Sequence, residues 1–256
     1  MKRILTSVLV IALLITVMAA CSSDKGETFT VGFDQNFPPM GFVDDKGEFT
    51  GFDLELAAEV AKRMKMELVL QPIAWDAKDM ELDSGNIDCV WNGFTMNNRE
   101  DLYTWSDAYM KNSQVFVVKK DSGIKTFADL AGKVVTVQVD SSAEGVLAEE
   151  EALVKSFKEY IKTADYNTAF MDLESGAVDA IAMDVIVANY QIEGRQADFI
   201  VLEQNLAEEE YGVGFLKGNT EMRDKVQKAL EDMAKDGTMA EISEKWFGED
   251  VTIIGK

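Results

Sequence analysis

The sequence predicts an α/β protein built from two similar lobes. Strand-like apolar segments alternate with amphipathic helical segments along most of the 256 residues, as in sheets covered by helices. One pattern occurs twice: residues 83–90 read DSGNIDCV, and residues 174–181, 91 positions later, read ESGAVDAI. Two further strand-like segments, 113–119 and 211–216, are placed where they would carry the chain between lobes. Two such lobes are the simplest account of the repeat, and coincidence is the alternative.

The composition excludes several classes of function. A hydrophobic content of 47% is enough for a core, and a net charge of −21 argues against nucleic acid or an acidic membrane surface as partner. The absence of histidine excludes Ser–His and Cys–His catalysis together with the commonest zinc ligand. Cys89 falls in an apolar strand and is expected to be a small buried hydrophobic residue. We expect a monomer with no cofactor and no metal.

The N-terminal segment is typical of a targeting sequence. Lys2 and Arg3 precede an apolar run over residues 4–17, and Met18-Ala19-Ala20-Cys21 closes it with small side chains. This end resembles a bacterial lipobox, with methionine where leucine is usual. It predicts a lipoprotein signal peptide over 1–20, a lipid anchor on Cys21, a tether over 21–27 and an extracytoplasmic location, at the cell surface or in the periplasm. A conventional signal peptide cut after Ala20 is the alternative.

In the first half, apolar periodicity and turn residues predict strands, a hairpin and two helices. Asp53 is expected to cap the first helix. The predicted elements are a strand over 28–33, a stiff loop over 34–39, a hairpin turn over 44–47, a helix from residue 53 to about 64, a strand over 67–71, a helix over 76–83 and a buried strand over 87–91.

The second half continues the alternation of strands and helices. Asp184 is expected to cap a helix over 185–191. The other predicted elements are a helical turn over 127–130, strands over 133–139, 157–161 and 199–202, a helix from residue 165 to the second Ser-Gly, and tail helices near 221–235 and 239–246.

The loop after the first repeat carries the strongest indication of a ligand site. Gly93 permits close approach of the backbone, Thr95 offers a hydroxyl group, and Arg99 presents a guanidinium group suited to a carboxylate. In α/β proteins, ligands bind beyond the carboxyl ends of strands, and this loop follows such an end. An ordinary loop with a solvated arginine is the alternative. In the second half, Ser141 and Ser142 open a helix whose free amides suit an anion, although Ser141 alone reads as an N-cap.

Taken together, these segments resemble the bacterial extracellular solute-binding proteins of the amino-acid family, the receptors of polar-amino-acid ABC importers. The resemblance covers essentially all of the sequence after the signal peptide. It rests on 34–39 (DQNFPP), 51–57 (GFDLELA), 93–95 (GFT) with Arg99, 105–109 (WSDAY), 129–135 (DLAGKVV) and the tail 236–248.

The resemblance implies the periplasmic-binding-protein-like type II fold, in which two Rossmann-like α/β lobes are joined by two crossing strands. The ligand is clamped between the lobes. Lobe 1 would comprise residues 28–114 plus 213–256, and lobe 2 would comprise residues 115–212. A permease in the membrane would be the protein partner.

Site roles also follow from the resemblance. Arg99 would bind the ligand α-carboxylate, and Asp184 would bind its ammonium group. The remaining residues implied in the site are Thr95, the Gly93 backbone, Ser141 and Ser142 at the carboxylate, Phe37 and Trp75 as aromatic walls, Asp34 near the ligand side chain, and Asn92 beside the shared motif. The family usually separates this threonine and arginine by one more residue, so the resemblance implies a one-residue deletion in this loop.

The resemblance therefore implies a receptor that clamps a polar amino acid and delivers it to the permease. Two alternatives belong to other classes. The same fold includes cyclohexadienyl dehydratases. Such an enzyme needs a general acid or base, for which a carboxylate in the cleft could serve. An anchored amino-acid sensor would act through a separate partner.

Overall fold

The computed structural model of the protein describes residues 26–256. The predicted signal peptide, the lipidation site Cys21 and most of the tether lie outside the described residues. Across residues 26–256, no helix combines the length and the apolar character that a membrane crossing requires.

Strands and helices alternate along the described chain, and we number each type in chain order. The strands are β1 Thr28–Phe33, β2 Asn36–Phe37, β3 Gly41–Val43, β4 Phe49–Thr50, β5 Glu67–Pro72, β6 Cys89–Val90, β7 Thr104–Trp105, β8 Met110–Lys119, β9 Val134–Gln138, β10 Glu159–Thr163, β11 Ala180–Asp184, β12 Phe199–Val201, β13 Ala207–Tyr211 and β14 Gly214–Phe215.

The helices are α1 Phe52–Met64, α2 Lys78–Asp83, α3 Ser142–Glu149, α4 Glu151–Ser156, α5 Tyr166–Ser175, α6 Val185–Ile192, α7 Thr220–Asp236 and α8 Thr238–Phe247. Two 3-10 turns, Trp75–Ala77 and Phe127–Leu130, complete the set. Most of these elements lie within a few residues of the sequence-based expectation. The strand expected over 157–161 runs instead over Glu159–Thr163, because Phe157 ends α4.

Two sheets organise the molecule as two lobes. The first sheet has the order β5-β1-β6-β14-β7, and the second has β10-β9-β11-β8-β12, with β13 paired to β8. The neighbouring strands β5, β1 and β6 are parallel, as are β10, β9 and β11. Helices α7 and α8 pack with α1 against the first sheet. This is the two-lobed α/β architecture that the sequence predicts, with strand ends of both lobes at the same cleft.

Strands β8 and β13 carry the chain between the two sheets. They pair antiparallel from Met110 opposite Tyr211 to Gln114 opposite Ala207. The return crossing expected over 211–216 is therefore wrong in position. The return strand ends at Tyr211, and β14 already belongs to the first sheet. The sequence of β13, AEEEY, has no apolar run of the kind that predicts a buried strand. Its backbone pairing with β8 makes it a strand, and that pairing is not visible in the local sequence.

The repeated sequence pattern corresponds to a repeated structure. In each copy a helix ends, and a glycine with positive φ, Gly85 or Gly176, reverses the chain before the next strand. The aspartate that follows then binds the backbone amide of the neighbouring parallel strand. Asp88 accepts from Thr30 N at 2.7 Å, and Asp179 accepts from Val134 N at 2.8 Å.

We expect Asp88→Ala and Asp179→Ala each to lower the free energy of unfolding by about 1–3 kcal/mol, because each leaves a partly buried strand amide without its acceptor. The two losses should add in the double variant, since the sites lie in different sheets. Urea unfolding measures both, with the exposed Asp83→Ala as control. Equal stability of all the variants would show that these hydrogen bonds contribute nothing.

Candidate ligand cavity between the lobes

A cavity lies where strand ends from both sheets face each other. Its atom-free space is about 280 Å³, including the part open to solvent. The residues that line it are Phe37, Trp75, Asn92, Gly93, Thr95, Arg99, Gln138, Ser141, Ser142 and Asp184. All of the site residues expected from the sequence line it except Asp34, which lies directly behind Gln138.

Arg99 reaches the cavity despite the short spacing from Thr95. A tight turn closes from Met96 O to Arg99 N at 2.9 Å, with Asn98 in the left-handed conformation at φ 64°. The Arg99 guanidinium lies 5.4 Å from the Phe94 ring centroid. It donates to Thr95 O at 3.4 Å and to Asp140 O at 3.1 Å. Its described partners are carbonyl oxygens, which leave its positive charge available to an anion.

Asp184 lies on the opposite side of the cavity, at the end of β11. Its Oδ1 accepts from Asn112 Nδ2 at 2.8 Å, from Gln114 Nε2 at 3.0 Å and from Tyr211 Oη at 2.6 Å. Although it occupies the N-cap position of α6, its side chain makes no capping hydrogen bond, so the expected cap is wrong. Burial raises the pKa of Asp184 well above its usual value, and the charge of Glu209 adds to the increase.

A second buried acid, Glu209 on β13, was not expected from the sequence. It is 4% exposed and accepts hydrogen bonds with both carboxylate oxygens. Its Oε1 accepts from Thr95 Oγ1 at 2.8 Å and from the same Asn112 and Gln114 amide groups, both at 2.7 Å. Its Oε2 accepts from Ser142 Oγ at 2.6 Å. The two acids therefore share two amide donors, and although Glu209 does not itself line the cavity, its partners Thr95 and Ser142 do.

The two serines have different roles. Ser141 Oγ accepts from Glu144 N at 3.1 Å and so caps α3, as the simpler interpretation of the sequence holds. Ser142 directs its hydroxyl to Glu209 instead. The helix begins at the cavity wall, which places the positive end of its dipole there.

Aromatic and polar groups form the other end of the cavity. Phe37 and Trp75 provide apolar walls, and Trp75 Nε1 donates to Asp140 O across the cleft at 3.1 Å. Gln138 Nε2 donates to Asp34 Oδ2 at 2.7 Å, and Asp34 N donates to Asn92 Oδ1 at 3.0 Å. Burial raises the pKa of Asp34. This end therefore combines flat apolar surfaces with amide and carboxyl groups.

The Gly93 amide group is hydrogen-bonded to Asp53. This contact corrects the roles expected for both residues. Asp53 was expected to cap α1, but its Oδ2 accepts from Gly93 N at 2.6 Å and from Tyr109 Oη at 2.8 Å. The Gly93 amide is thus already used in this structure and does not point to a ligand carboxylate. At φ 57°, Gly93 also has no room for a Cβ, which would lie 3.0 Å from the Phe37 ring.

Lys78 is a buried cation that the sequence reasoning missed. It is 1% exposed, and its Nζ pairs with the Asp140 carboxylate of the other lobe and lies 5.1 Å from the Trp75 ring centroid. Burial lowers the pKa of Lys78, against the opposing effect of Asp140. The contacts of Trp75, Lys78 and Arg99 all converge on Asp140, which adopts a left-handed φ of 57°.

The sequence carries a signal for some of the missed residues. Lys78 follows Trp75 by three positions and so lies on the same side of a helical turn. Glu209 and Tyr211 face inward in the folded β13, but the sequence AEEEY does not show that alternation. Asn112 and Gln114 share one face of β8, within a largely apolar strand, where buried polar groups indicate a hydrogen-bond network.

We expect Asp53→Asn to remove part of the pH dependence of stability. Burial raises the pKa of Asp53 from 3.8 to about 7, so the folded protein holds this proton over a range in which the unfolded chain has lost it. Native stability therefore falls as pH rises from about 4 to about 7, by on the order of 4 kcal/mol for this group. Asparagine cannot ionise, so the variant should gain stability relative to wild type over this range.

Urea unfolding of both proteins at pH 4, 5.5 and 8, values chosen to bracket this range, measures the difference. The exposed Asp45→Asn controls for the loss of one negative charge. If the difference in unfolding free energy between wild type and Asp53→Asn stays constant across pH, the raised pKa of Asp53 is contradicted.

Comparison with known proteins places this chain in a family. The family model described as "Bacterial extracellular solute-binding proteins, family 3" matches residues 29–249. The L-cystine-binding protein TcyJ of Escherichia coli (strain K12) is 34% identical over 263 aligned positions, which cover 98% of this chain and 97% of TcyJ. The L-cystine-binding protein TcyA of Bacillus subtilis (strain 168) is also 34% identical, over 90% of this chain and 85% of its own.

Solved structures agree. An ABC uptake transporter substrate binding protein from Streptococcus pneumoniae, solved with bound histidine, is 38% identical with a TM-score of 0.84, covering 88% of this chain and 94% of that one. An ancestral arginine-binding protein bound to glutamine is 37% identical with a TM-score of 0.79, covering 87% and 98%. Since the family model spans most of the chain and both lobes superpose on these relatives, the protein belongs to the bacterial extracellular solute-binding proteins of family 3.

Proposed function

We propose that this protein is the substrate-binding component of an amino-acid ABC importer. One observation carries the proposal: the cavity has a guanidinium group from one lobe, Arg99, and a carboxylate from the other, Asp184. An amino acid is a zwitterion, and removing both of its charges from water requires one partner of each sign. The named relatives bind cystine, histidine, arginine or glutamine, all of which are amino acids.

In the proposed complex, Arg99 holds the α-carboxylate with the hydroxyl groups of Thr95 and Ser142. Asp184 holds the ammonium group, which replaces the proton that burial favours on this carboxyl. The ligand side chain lies between Phe37 and Trp75. Because its charges then bind both lobes, the ligand itself stabilises the closed form.

The substrate that we propose is a polar amino acid. Asp34, Asn92 and Gln138 offer both hydrogen-bond donors and acceptors beside the aromatic walls. Cystine is the first candidate, since two relatives named for it match most of this chain at 34% identity. A purely apolar side chain would leave Asn92 Nδ2, a buried donor with no partner among the described residues, without an acceptor.

The other features of the receptor are proposed on the sequence. A lipidated Cys21 would anchor the mature protein outside the cytoplasmic membrane, and residues 22–27 would act as a tether. The protein would work as a monomer with a permease. We propose no catalytic role, because the named relatives are binding proteins and an ammonium partner accounts for Asp184.

A thermal-shift screen tests the proposed function. The panel contains the twenty amino acids, L-cystine, L-ornithine and prephenate. We expect one or two amino acids to raise the melting temperature by several degrees, because a ligand that binds only the folded state stabilises it. Stabilisation by prephenate alone would favour the dehydratase class instead, and no shift from any amino acid would oppose the receptor.

We expect Arg99→Ala to weaken binding of the stabilising amino acid by about 2–5 kcal/mol, because the buried carboxylate loses its charged partner. Isothermal titration calorimetry measures the change. Arg195→Ala is the matched control, since Arg195 pairs with Glu174 away from the cavity and should bind as wild type. A loss of less than about threefold for Arg99→Ala would show that another group binds the carboxylate.

Asp184→Asn provides the complementary arm of this test. The amide keeps an oxygen for Tyr211 but removes the charge, so amino-acid binding should weaken by a similar amount. A carboxylic acid of the same shape without the ammonium group should lose nothing. Unchanged amino-acid affinity would mean that the natural ligand carries no ammonium group at this position.

A further inference from the structure

The hydroxyl groups proposed for the ligand carboxylate already hold a carboxylate of the protein. Thr95 Oγ1 donates to Glu209 Oε1 at 2.8 Å, and Ser142 Oγ donates to Glu209 Oε2 at 2.6 Å. One donor comes from the loop after β6 in the first lobe, and the other from the start of α3 in the second. The Glu209 carboxylate therefore bridges the two lobes, as the carboxylate of a bound amino acid would.

The backbone of Glu209 is bound on both sides of the cleft. β13 pairs with β8 in the second sheet. Met96 N donates to Glu210 O at 2.9 Å and Gly212 N donates to Phe94 O at 3.0 Å, which joins the same strand to the Thr95 loop of the first lobe. Ser142 belongs to α3, which packs on the second sheet. Opening of the lobes would thus separate the Thr95 and Ser142 hydroxyl groups, so that Glu209 would lose at least one of the two contacts.

The contacts of Arg99 are consistent with Glu209 taking the place of a ligand carboxylate. Among the described residues, no carboxylate lies within 4.0 Å of its guanidinium, and its partners are the carbonyl groups of Thr95 and Asp140. Glu209 thus takes the hydroxyl donors but leaves the arginine charge unsatisfied. A ligand carboxylate that pairs with Arg99 has an advantage that Glu209 lacks.

We propose that Glu209 is an internal competitor for the carboxylate end of the cavity and sets the affinity and selectivity of the site. It holds the closed lobes together without ligand, and an amino acid must displace it from Thr95 and Ser142. A simple carboxylate pairs with Arg99 but gains nothing from Asp184, so it competes poorly. An amino acid engages both residues and displaces Glu209. This inference rests on the proposed function.

The negative charge of Glu209 also repels a negative charge on Asp184. The two carboxylates share the amide donors of Asn112 and Gln114, so each limits the stabilisation that the other receives. Glu209→Gln removes that repulsion and the competition together. Because competition lowers the fraction of protein that is free to bind, its removal should tighten amino-acid binding.

The first test needs no knowledge of the natural substrate and uses formate as the probe. Glu209→Ala removes the carboxylate and should lower the melting temperature of the ligand-free protein. Formate is small enough to enter the space and accept from both hydroxyl groups, so it should restore much of the loss. Sodium chloride at equal ionic strength should not. Glu210→Ala, the exposed neighbour on the same strand, should show neither effect.

An unchanged melting temperature in Glu209→Ala, or equal effects of formate and chloride, would overturn the proposal. Should Glu209→Ala fail to fold, the isosteric Glu209→Gln replaces it in small-angle X-ray scattering. The ligand-free variant should then have a larger radius of gyration than wild type, as expected of more open lobes. Equal radii would also overturn the proposal.

The second test uses every amino acid that stabilises the wild-type protein. Glu209→Gln should bind each one about threefold more tightly or better, while Glu210→Gln should bind as wild type. Weaker or unchanged binding by Glu209→Gln would make Glu209 a ligand-binding or a purely structural group and overturn the competition. If no amino acid binds wild type, the receptor function fails, and the formate and scattering results still decide the role of Glu209.

Discussion

Acidic side chains buried between the lobes must find hydrogen-bond donors there, and the arrangement of the cleft depends on this requirement. A carboxylate removed from water is strongly destabilising unless several donors surround it. Asn112 and Gln114 donate to both Asp184 and Glu209, Tyr211 donates to Asp184, and these three donors lie on the two crossing strands. Glu209 has two further donors in Thr95 and Ser142. The strands that connect the lobes therefore also position the acidic side of the cavity, so the hinge and the binding site share side chains.

The opposite side of the cavity is cationic, and it too is held across the cleft. Arg99 and Trp75 of the first lobe both donate to the Asp140 carbonyl group of the second, and Lys78 pairs with the Asp140 carboxylate. A net charge of −21 for the whole chain does not prevent this local concentration of positive charge. Closure thus brings opposite charges together even before a ligand adds its own, which makes the closed form sensitive to single contacts.

Much of this fold follows from local sequence patterns, and much of the cavity does not. The paired DSGNIDCV and ESGAVDAI segments predict two similar units because glycine caps and strand periodicity are local properties. Residues 92–99 are predictable as a strand-end loop for the same reason. Asp53 could not be assigned correctly, because an aspartate at the start of a helix resembles a cap. Only the folded chain brings Gly93 and Tyr109 to its carboxylate.

Glu209 shows most clearly what cannot be predicted from the local sequence. Its strand reads AEEEY, and three adjacent glutamates ordinarily indicate a solvated surface. Pairing with β8 places Glu209 opposite Asn112 and turns it inward, while Glu208 and Glu210 stay exposed. That register depends on contacts nearly a hundred residues apart in sequence, which no local pattern contains. Buried polar residues on a partner strand, here Asn112 and Gln114, are the better indicator, because they need an acceptor.

The cavity has two ends, and they carry different information. Family membership therefore indicates the class of ligand, an amino acid, more firmly than it indicates which amino acid binds. The end that we propose for the zwitterion is formed by Arg99, which follows β6, and Asp184, which ends β11, so the repeated strands position it directly. The end that we propose for the ligand side chain is formed by Phe37, Trp75 and the Asp34–Gln138 pair, which come from segments outside the repeat. Relatives that share the fold are accordingly named for cystine, histidine or arginine. We therefore expect differences at this second end, and not in the lobes, to separate those ligands.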